Sequence, residues 1–291
     1  MRPGAFFPAT QVVVLGTPAE EGGMGKEFLL KAGAFEGVDA ALMAHPGKTG
    51  CMRVILAAKC TLSAVFECGE DPEGLEIEPR VMDAAVLAYA NLSLLRERLD
   101  PLCRIHGVIL TSEAKNDIDV QRSRLVFNVR APSVEQLVRL RRDFESCMKA
   151  AATASGCEVT VTEIVALCKS MKFNEPLLKL FLRYAKEYGF TFSDQEEAVP
   201  RTTGGTSDAA NVSHEVPTIH PFYRIDSALV NHTAEFCRAA GTKEAQDIAL
   251  DVGKTLALTA YDLFCDPSLI NSLWEAFRCP TKYSKTVPDS G

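Results

Sequence analysis

The sequence contains no run of basic residues and no apolar stretch long enough to cross a bilayer. Its 31 Lys and Arg residues are outnumbered by 38 Asp and Glu residues, and the resulting net charge of −7 argues against a nucleic-acid partner. The first eight residues are too few and too interrupted by proline to form a signal peptide, so we predict a soluble cytoplasmic protein. With 291 residues, 47% of them apolar, the chain is long enough to form two hydrophobic cores.

The chain also lacks any Cys-x-x-Cys pair, although it contains ten cysteines. These cysteines are scattered along the sequence, mostly among apolar neighbours, instead of standing at the short spacing of a metal or redox motif. We therefore interpret them as reduced thiols with mainly structural roles.

Two adjacent carboxylates, Glu20 and Glu21, follow the apolar run at residues 12–15, which predicts a buried strand. In open α/β sheets, ligands collect outside the carboxyl ends of the strands. Neighbouring strand residues point to opposite sides, so two adjacent glutamates can take different roles, one binding a metal and the other moving protons. The pair therefore predicts a functional site near the start of the chain.

A helix and a second strand are predicted after this pair. Residues 26–35 carry apolar side chains at helical spacing, and residues 38–44 form an apolar run that ends at His45. Crossovers from strand to helix to strand are parallel and right-handed with few exceptions, so Glu20, Glu21 and His45 are expected at one edge of the sheet. A metal or acid/base site explains this placement. A solvated Glu pair and a turn histidine explain it as well, and the residues alone leave both interpretations open.

The middle of the chain predicts a second unit, whose β-α-β-β-α-β order is that of the ferredoxin-like sandwich. Ser133 opens a capping box at the start of its second helix, and Gly156 closes that helix. We expect residues 51–165 to form a domain inserted into an α/β domain made of residues 1–50 and 166–291. The predicted elements are a strand at 52–57, a helix from about 79 to 99, strands at 104–110 and 124–129, a helix after Ser133, and a strand at 157–164.

The C-terminal part contains two amphipathic helices, predicted at 176–188 and 242–264, and the tail from about residue 279 is expected to be disordered. The polar centre of this part lies between the helices. It contains Thr206, Ser207, Asp208, Asn211 and His232.

The other histidines receive structural interpretations. His106 lies in a predicted strand, where we expect a half-buried structural residue. His220, between two apolar neighbours, is expected in the core or in a turn, and His214 is left without a role.

Five separated segments of the chain occur in an order that resembles one peptidase family. They are residues 16–23, 43–46, 206–213, 217–221 and 231–233. The resemblance is to the aminoacylase/carboxypeptidase-type metallopeptidases, peptidase family M20, and within that family to the branch of the Xaa-Arg dipeptidases. It extends from about residue 11 to residue 275.

The resemblance implies a fold and a set of site residues. The fold is an α/β catalytic domain of the zinc-peptidase type, incomplete at its N-terminal side, with the inserted domain acting as a lid and a dimerisation surface. Glu20 is implied as the general base that activates a metal-held water, and Glu21, His45 and His232 as ligands of a divalent metal, zinc or manganese. The implied lining of the substrate pocket is Thr206, Ser207, Asp208 and Asn211.

The implied reaction is hydrolysis of dipeptides with a basic C-terminal residue, or of N-acyl amino acids, by a homodimer. Three departures from the family pattern bear on it. The family has two further metal ligands upstream of the Glu pair, which we expect this chain to lack, and the segment 115–119 differs from the family pattern. Leu62 replaces a lid histidine that stabilises the oxyanion, and losing one such donor costs on the order of a hundred- to a thousandfold in rate. We therefore expect a weakly active or inactive dipeptidase; the alternative is a non-catalytic dimeric paralogue acting as a binding or scaffolding protein.

Overall fold

A computed structural model of the chain describes residues 11–68, 80–111, 122–192 and 205–279. The helices in these ranges are α1 (Gly25–Lys31), α2 (Val81–Glu97), α3 (Val134–Ser155), α4 (Glu175–Glu187), α5 (Ala209–Val212), α6 (Ala234–Ala240), α7 (Lys243–Cys265) and α8 (Pro267–Arg278). The strands are β1 (Ala41–Leu42), β2 (His45–Gly47), β3 (Ala58–Cys68), β4 (Arg104–Thr111), β5 (Arg122–Ala131), β6 (Cys157–Cys168), β7 (Thr218–Ile219) and β8 (Phe222–Arg224). None of the described helices combines the length and the apolar composition that a bilayer span requires.

Strands β3 to β6 form an antiparallel sheet in the order β4-β5-β3-β6. Together with α2 and α3 they follow the β-α-β-β-α-β order predicted from the sequence. Along β5, fully buried residues alternate with more accessible ones, which is the pattern of a strand with one face on a core. The sheet therefore has a covered face and an open face.

The covered face of the sheet packs against α2 and α3. Leu62, Phe127 and Phe144 are among the largest fully buried side chains of this core. The apolar positions predicted for α2, from Val81 to Leu95, are all buried, which confirms the predicted helical period. Burying a side chain of this size is worth about 1.5–3 kcal/mol relative to leaving it exposed, so this core holds the helices firmly on the sheet.

The ends of α3 lie where the sequence predicts them. Ser133 Oγ accepts a hydrogen bond from the backbone N–H of Gln136 at 3.2 Å, as in a capping box. Gly156 ends the helix with a φ of 70°, a left-handed conformation that glycine adopts without the steric cost of a Cβ atom. The N-cap serine and the closing glycine are confirmed.

A second core lies between α4, α7, α8 and the short parallel pair β1–β7. Leu177, Phe181, Ile219 and Leu273 are fully buried there. A further parallel pair joins β2 to β8. The two short pairs hold residues 41–47 and 218–224 side by side, and the loop that carries His232 follows β8.

Residues 12–15 do not form the predicted buried strand. Val14 is 91% exposed, and Val12 and Val13 are exposed as well. A strand needs a neighbour that satisfies its backbone hydrogen bonds, and none of the described strands pairs with this segment. The predicted crossover is therefore wrong at its first element, and the helix that follows ends at Lys31 instead of residue 35.

The strand predicted at 52–57 is also misplaced. This stretch crosses between the two cores: Met52 packs in the second core, and Leu56 forms an isolated bridge with Gly205. The continuous ladder begins only at Ala58, where the chain meets β5 and β6.

The strand predicted at 38–44 is reduced to β1, because only Ala41 and Leu42 find ladder partners in β7. The segment 115–119 lies outside the described residues, as does the part of the tail after Cys279. The predictions made for those two stretches therefore stay predictions.

Candidate active site

A cavity of about 330 Å³ lies between the Glu20–Glu21 turn, the loop before α5, and strands β3, β5 and β6. Carboxylates, cations, hydroxyl groups and an imidazole converge on it, and concave sites with convergent polar groups are where ligands bind. The polar residues that line it are Glu20, Glu21, Lys59, Thr61, Arg130, Thr206, Ser207, Asp208 and His232.

The turn that carries Glu20 and Glu21 has an unusual backbone. Ala19 and Met24 have positive φ angles of 63° and 57°, which are unfavourable for residues with a Cβ atom. A Cβ atom at Gly25 would lie 1.8 Å from the carbonyl oxygen of Pro18. Only glycine therefore fits at position 25, and the turn closes directly onto the start of α1.

Glu21 and His232 meet at the cavity. Glu21 Oε2 lies 3.6 Å from Nδ1 of His232, and both side chains are exposed to solvent. The residue before this histidine, Asn231, donates a hydrogen bond from Nδ2 to the carbonyl oxygen of Pro46 at 2.9 Å. The loop that carries His232 is thus anchored to β2, while its imidazole stays accessible to a ligand.

The structure places His45 apart from Glu21 and His232. Its ring stacks on Phe222 with the centroids 4.5 Å apart, and its Nδ1 lies 2.7 Å from the carbonyl oxygen of Pro46. His45 is not among the residues that line the cavity. Of the three predicted metal ligands, the described structure brings two together and leaves the third in an aromatic contact.

The described residues do not fit a metal centre on their own. Within ranges 11–68, 80–111, 122–192 and 205–279, no group of three or more His, Cys, Asp or Glu side chains is placed to bind one ion. Glu21 and His232 supply two donors, whereas zinc sites in proteins use three or four protein ligands. A metal centre at this cavity requires donors besides these two.

Among the predicted pocket residues, Thr206, Ser207 and Asp208 line the cavity, and Asp208 is completely buried. Lys26 donates to Asp208 twice, from Nζ to Oδ1 at 2.8 Å and from its backbone N–H to Oδ2 at 2.9 Å. Asp208 therefore borders the cavity with its carboxylate already occupied. The pair fastens the first turn of α1 to the loop before α5.

Asn211 is completely buried and is not among the cavity-lining residues. Its Oδ1 accepts from the backbone N–H of Lys169 at 2.8 Å. Its Nδ2 donates to the carbonyl oxygen of Leu167 at 2.9 Å and to Glu27 Oε2 at 2.7 Å. The side chain links α1 to the end of β6.

Two cations of the sheet, Lys59 and Arg130, were not identified from the sequence as site residues. They are register partners on β3 and β5, so their side chains lie on the same face of the sheet and reach the same cavity. Burial lowers the pKa of the Lys59 ammonium, the neighbouring Arg130 lowers it further, and the Glu20 carboxylate acts in the opposite direction. Their proximity depends on how β3 pairs with β5, which no pattern within a single strand reveals.

The thiols near the cavity are in the protonated form. Burial raises the pKa of Cys168 to about 12 and that of Cys60 to about 11. Cys168 Sγ donates to the carbonyl oxygen of Ser207 at 3.2 Å. The thiolate is the nucleophilic form, so neither cysteine is suited to nucleophilic catalysis. The nine cysteines whose side chains are described are free thiols, as predicted.

Leu62 lies on the covered face of the sheet, fully buried in the core with α2 and α3. It is absent from the cavity lining, whereas its neighbour Thr61 belongs to that lining. The side chain at position 62 thus points away from the site in this structure, because successive strand residues face opposite sides.

The remaining histidines differ in burial. His106 lies on the edge strand β4 and is exposed, so the predicted half-buried setting is wrong. His220 is buried as predicted; its ring nitrogens have no hydrogen-bond partner among the described residues, and burial lowers its pKa to about 3. His214 Nε2 lies 2.8 Å from the carbonyl oxygen of Ser170, which gives it a structural role.

Sequence comparisons place the chain among characterised proteins. The profile of peptidase family M20/M25/M40 matches residues 5–252. The chain is 37% identical over 282 residues to the Xaa-Arg dipeptidase of Mus musculus and 37% identical over 281 residues to that of Homo sapiens. These alignments cover 94% and 93% of this chain but 63% and 62% of the two relatives, so the chain spans less than two thirds of their length.

Solved structures share the fold. A dinuclear metal-binding peptidase of the M20 family from Bacillus subtilis has a TM-score of 0.62 at 17% identity, over 85% of this chain and 63% of that one. An aminobenzoyl-glutamate utilization protein from Klebsiella pneumoniae has a TM-score of 0.59 at 14% identity, over 84% of this chain and 60% of that one. The described residues therefore have the mixed α/β fold of these proteins. With a family profile that matches most of its length, the chain belongs to peptidase family M20/M25/M40 and is a hydrolase by lineage.

Proposed function

We propose that this chain is a peptidase of the Xaa-Arg dipeptidase type, whose substrates are dipeptides with a basic C-terminal residue. The observation that carries the proposal is that Glu20, Glu21 and His232 share one cavity with Thr206 and Ser207. The 37% identity to the mouse and human Xaa-Arg dipeptidases supports the substrate class. A cavity of about 330 Å³ is at the small end of the range for ligand pockets, which suits a dipeptide.

The cavity residues have separate roles in this reaction. Glu20 acts as the general base that removes a proton from the attacking water and delivers it to the leaving amine. Lys59 and Arg130 bind the C-terminal carboxylate of the dipeptide, because cations form charge-assisted hydrogen bonds with carboxylates. Thr206 and Ser207 hydrogen-bond the substrate backbone through their hydroxyl groups.

The family resemblance implies a divalent ion, zinc or manganese, which when bound lowers the pKa of its water and polarises the amide carbonyl. Glu21 and His232 are the donors that this cavity offers, and His45 is the third predicted ligand. Because only two of the three converge, the residues do not fit the ion and no step proposed here depends on it. For the chain as described we propose slow hydrolysis.

We also propose that residues 51–165 form a lid and dimerisation domain inserted between residues 1–50 and 166–291 of an α/β domain. The β-α-β-β-α-β order and the sheet order β4-β5-β3-β6 support a ferredoxin-like fold for this lid. The outer side of α2 exposes Val86 and Leu94, and apolar exposure of this kind supports the association of two lids.

The second candidate is a non-catalytic dimeric paralogue that binds or scaffolds peptides. One observation favours it: His45 packs against Phe222 instead of joining Glu21 and His232. The family resemblance also implies a lid histidine where this chain has Leu62, although the side chain at this position points into the core and away from the cavity. In this alternative the cavity serves binding alone.

Hydrolysis of Ala-Lys and Ala-Arg by the purified chain, assayed with zinc or manganese, separates the two candidates. The cavity variant is Glu20→Gln, and the matched control is Glu36→Gln, an exposed glutamate outside the cavity lining. Slow release of Lys and Arg that Glu20→Gln abolishes and Glu36→Gln retains supports the dipeptidase. Binding without turnover supports the paralogue, and the absence of both binding and turnover refutes both candidates.

A further inference from the structure

We infer that Asp208 and Asn211 are positioning residues that hold the Glu20–Glu21 turn at the cavity, and that they do not contact the substrate. That these residues serve catalysis rests on the proposed function. The hydrogen bonds from which we infer their positioning role are observed in the structure and do not depend on it. The side chains concerned, called here the polar junction, are those of Lys26, Glu27, Asp208 and Asn211.

Asn211 does not line the cavity, and Asp208 lines it with both carboxylate oxygens already hydrogen-bonded. Both are completely buried. The two carboxylate oxygens of Asp208 accept hydrogen bonds from Lys26, and the amide of Asn211 has partners on its oxygen and on its nitrogen. A substrate that bound either side chain would displace these partners, and the buried groups left behind would lose their hydrogen bonds at a cost in free energy.

The turn at residues 19–24 has little support of its own. Within it, the backbone N–H of Gly23 donates to the carbonyl oxygen of Ala19 at 2.9 Å. The left-handed backbone at Ala19 and Met24 persists only where the surrounding structure enforces it. The Glu21 side chain is 75% exposed and contributes little packing. The position of the turn therefore depends on how the following helix, α1, is attached.

The polar junction supplies that attachment at the first turn of α1. This helix has seven residues, too few to be stable without tertiary contacts. Asp208 holds Lys26 by two hydrogen bonds, and Asn211 holds Glu27 by one. Because Asn211 also bonds the backbone at the end of β6, the junction fixes the turn relative to the sheet that forms the cationic side of the cavity.

Hydrogen exchange of the Gly23 amide tests this role without any turnover. Asn211→Ala removes the contacts with both α1 and β6, whereas Glu27→Ala keeps the contacts with β6 and removes the partner on α1, together with the ion pair of Glu27 with Lys31. We expect at least tenfold faster exchange at Gly23 in both variants, with the amides of α3 unchanged. The matched control is Asn174→Ala, another buried asparagine, which donates to the carbonyl oxygen of Leu273 at 2.9 Å and does not contact the turn.

Two outcomes of this measurement overturn the inference. The first is exchange at Gly23 within twofold of the wild type in the folded variants. The second is equal acceleration in Asn174→Ala, because the effect is then a general loosening of the fold. Glu27 is only partly buried, so Glu27→Ala keeps the test decisive if Asn211→Ala does not fold.

Calorimetric binding of Ala-Lys distinguishes positioning from substrate contact. A positioning role predicts a Kd within twofold of the wild type in both Glu27→Ala and Asn211→Ala, and a lower kcat at unchanged KM where turnover is measurable. Tenfold weaker binding in Asn211→Ala, but not in Glu27→Ala, would show that Asn211 contacts the substrate and would overturn the inference. A wild-type chain that binds no dipeptide refutes the proposed function instead, and the exchange at Gly23 still decides the positioning role.

Discussion

Leu62 lies directly opposite Phe127 on the neighbouring strand, and both side chains are fully buried in the core between the sheet and the helices α2 and α3. A histidine at position 62 would therefore enter an apolar core. We expect Leu62→His to lower the free energy of unfolding by about 2–5 kcal/mol, because apolar burial is lost and a polar ring is buried. Urea denaturation measures the change, with Leu110→His as control, because Leu110 is exposed on β4. Equal stability of the two variants would contradict the placement of Leu62.

The buried His220 predicts a loss of stability toward acid pH. Burial lowers the pKa of its imidazole to about 3, and the nearby His45 and Lys26 act in the same direction. In the unfolded chain this pKa is about 6.5, so below pH 6.5 the unfolded state binds a proton that the folded state does not accept. The folded state is therefore destabilised progressively from about pH 6.5 down to about pH 3, and this contribution is absent above pH 6.5.

Urea denaturation at pH 7 and at pH 5 measures the effect of His220. Over this interval the histidine should lower the free energy of unfolding by about 2 kcal/mol. His220→Leu should show a pH dependence smaller by that amount. His106→Leu should reduce the dependence by less, because His106 is exposed on an edge strand, although burial and the neighbouring cations lower its pKa as well. Identical pH dependence in His220→Leu and the wild type would assign the acid sensitivity to another group.

Arg130 lines the cavity beside Lys59, so we expect its replacement to weaken the binding of ligands that carry a carboxylate. We expect Arg130→Gln to weaken the binding of Ala-Lys by about tenfold or more, because a hydrogen bond to a charged group contributes about 1.5–3 kcal/mol. The C-terminal amide of Ala-Lys lacks the carboxylate and should bind the wild type and the variant equally. Titration calorimetry measures both ligands, with Arg124→Gln as control, because Arg124 donates to Ser63 outside the cavity. An equal loss for the amide would show that Arg130 does not bind the carboxylate.

The exposed apolar side chains of α2 lead us to expect a dimer. Light scattering at micromolar concentration should give twice the 31.6 kDa of one chain. Leu94→Glu, at a residue that is 72% exposed on α2, should give monomers, because a charge would be buried between the two lids. Leu250→Glu, at a residue of similar exposure on α7, should stay dimeric. A monomeric wild type, or a dimer that Leu94→Glu leaves intact, would count against association through α2.

Elements whose hydrogen bonds are satisfied locally were predictable from the sequence. The apolar stripe of α2 and the capping signals of α3 at Ser133 and Gly156 lie within the helices they describe. The run at residues 12–15 has the composition of a strand, but a strand also needs a partner, and the residues of the run do not specify one. The run is exposed in the structure because none of the described strands pairs with it.

The residue types of the candidate site were predictable, whereas their contacts were not. Glu20 and Glu21 were recognised from their position after an apolar run, and His232 was implied by the family resemblance; all three line the cavity. The ion pair between Lys26 and Asp208 joins positions 182 residues apart, and no sequence pattern near either residue predicts it. Such contacts are set by the packing of distant segments.

The carbonyl oxygen of Pro46 serves two donors, Asn231 Nδ2 at 2.9 Å and, in the tautomer with a proton on Nδ1, His45 at 2.7 Å. A carbonyl oxygen has two lone pairs, so one donor can leave while the other stays bound. Loss of the His45 hydrogen bond would thus leave the anchor of the His232 loop intact. The loop that carries His232 is held to this oxygen by the side-chain amide of Asn231. Its position therefore does not depend on the hydrogen bond of His45.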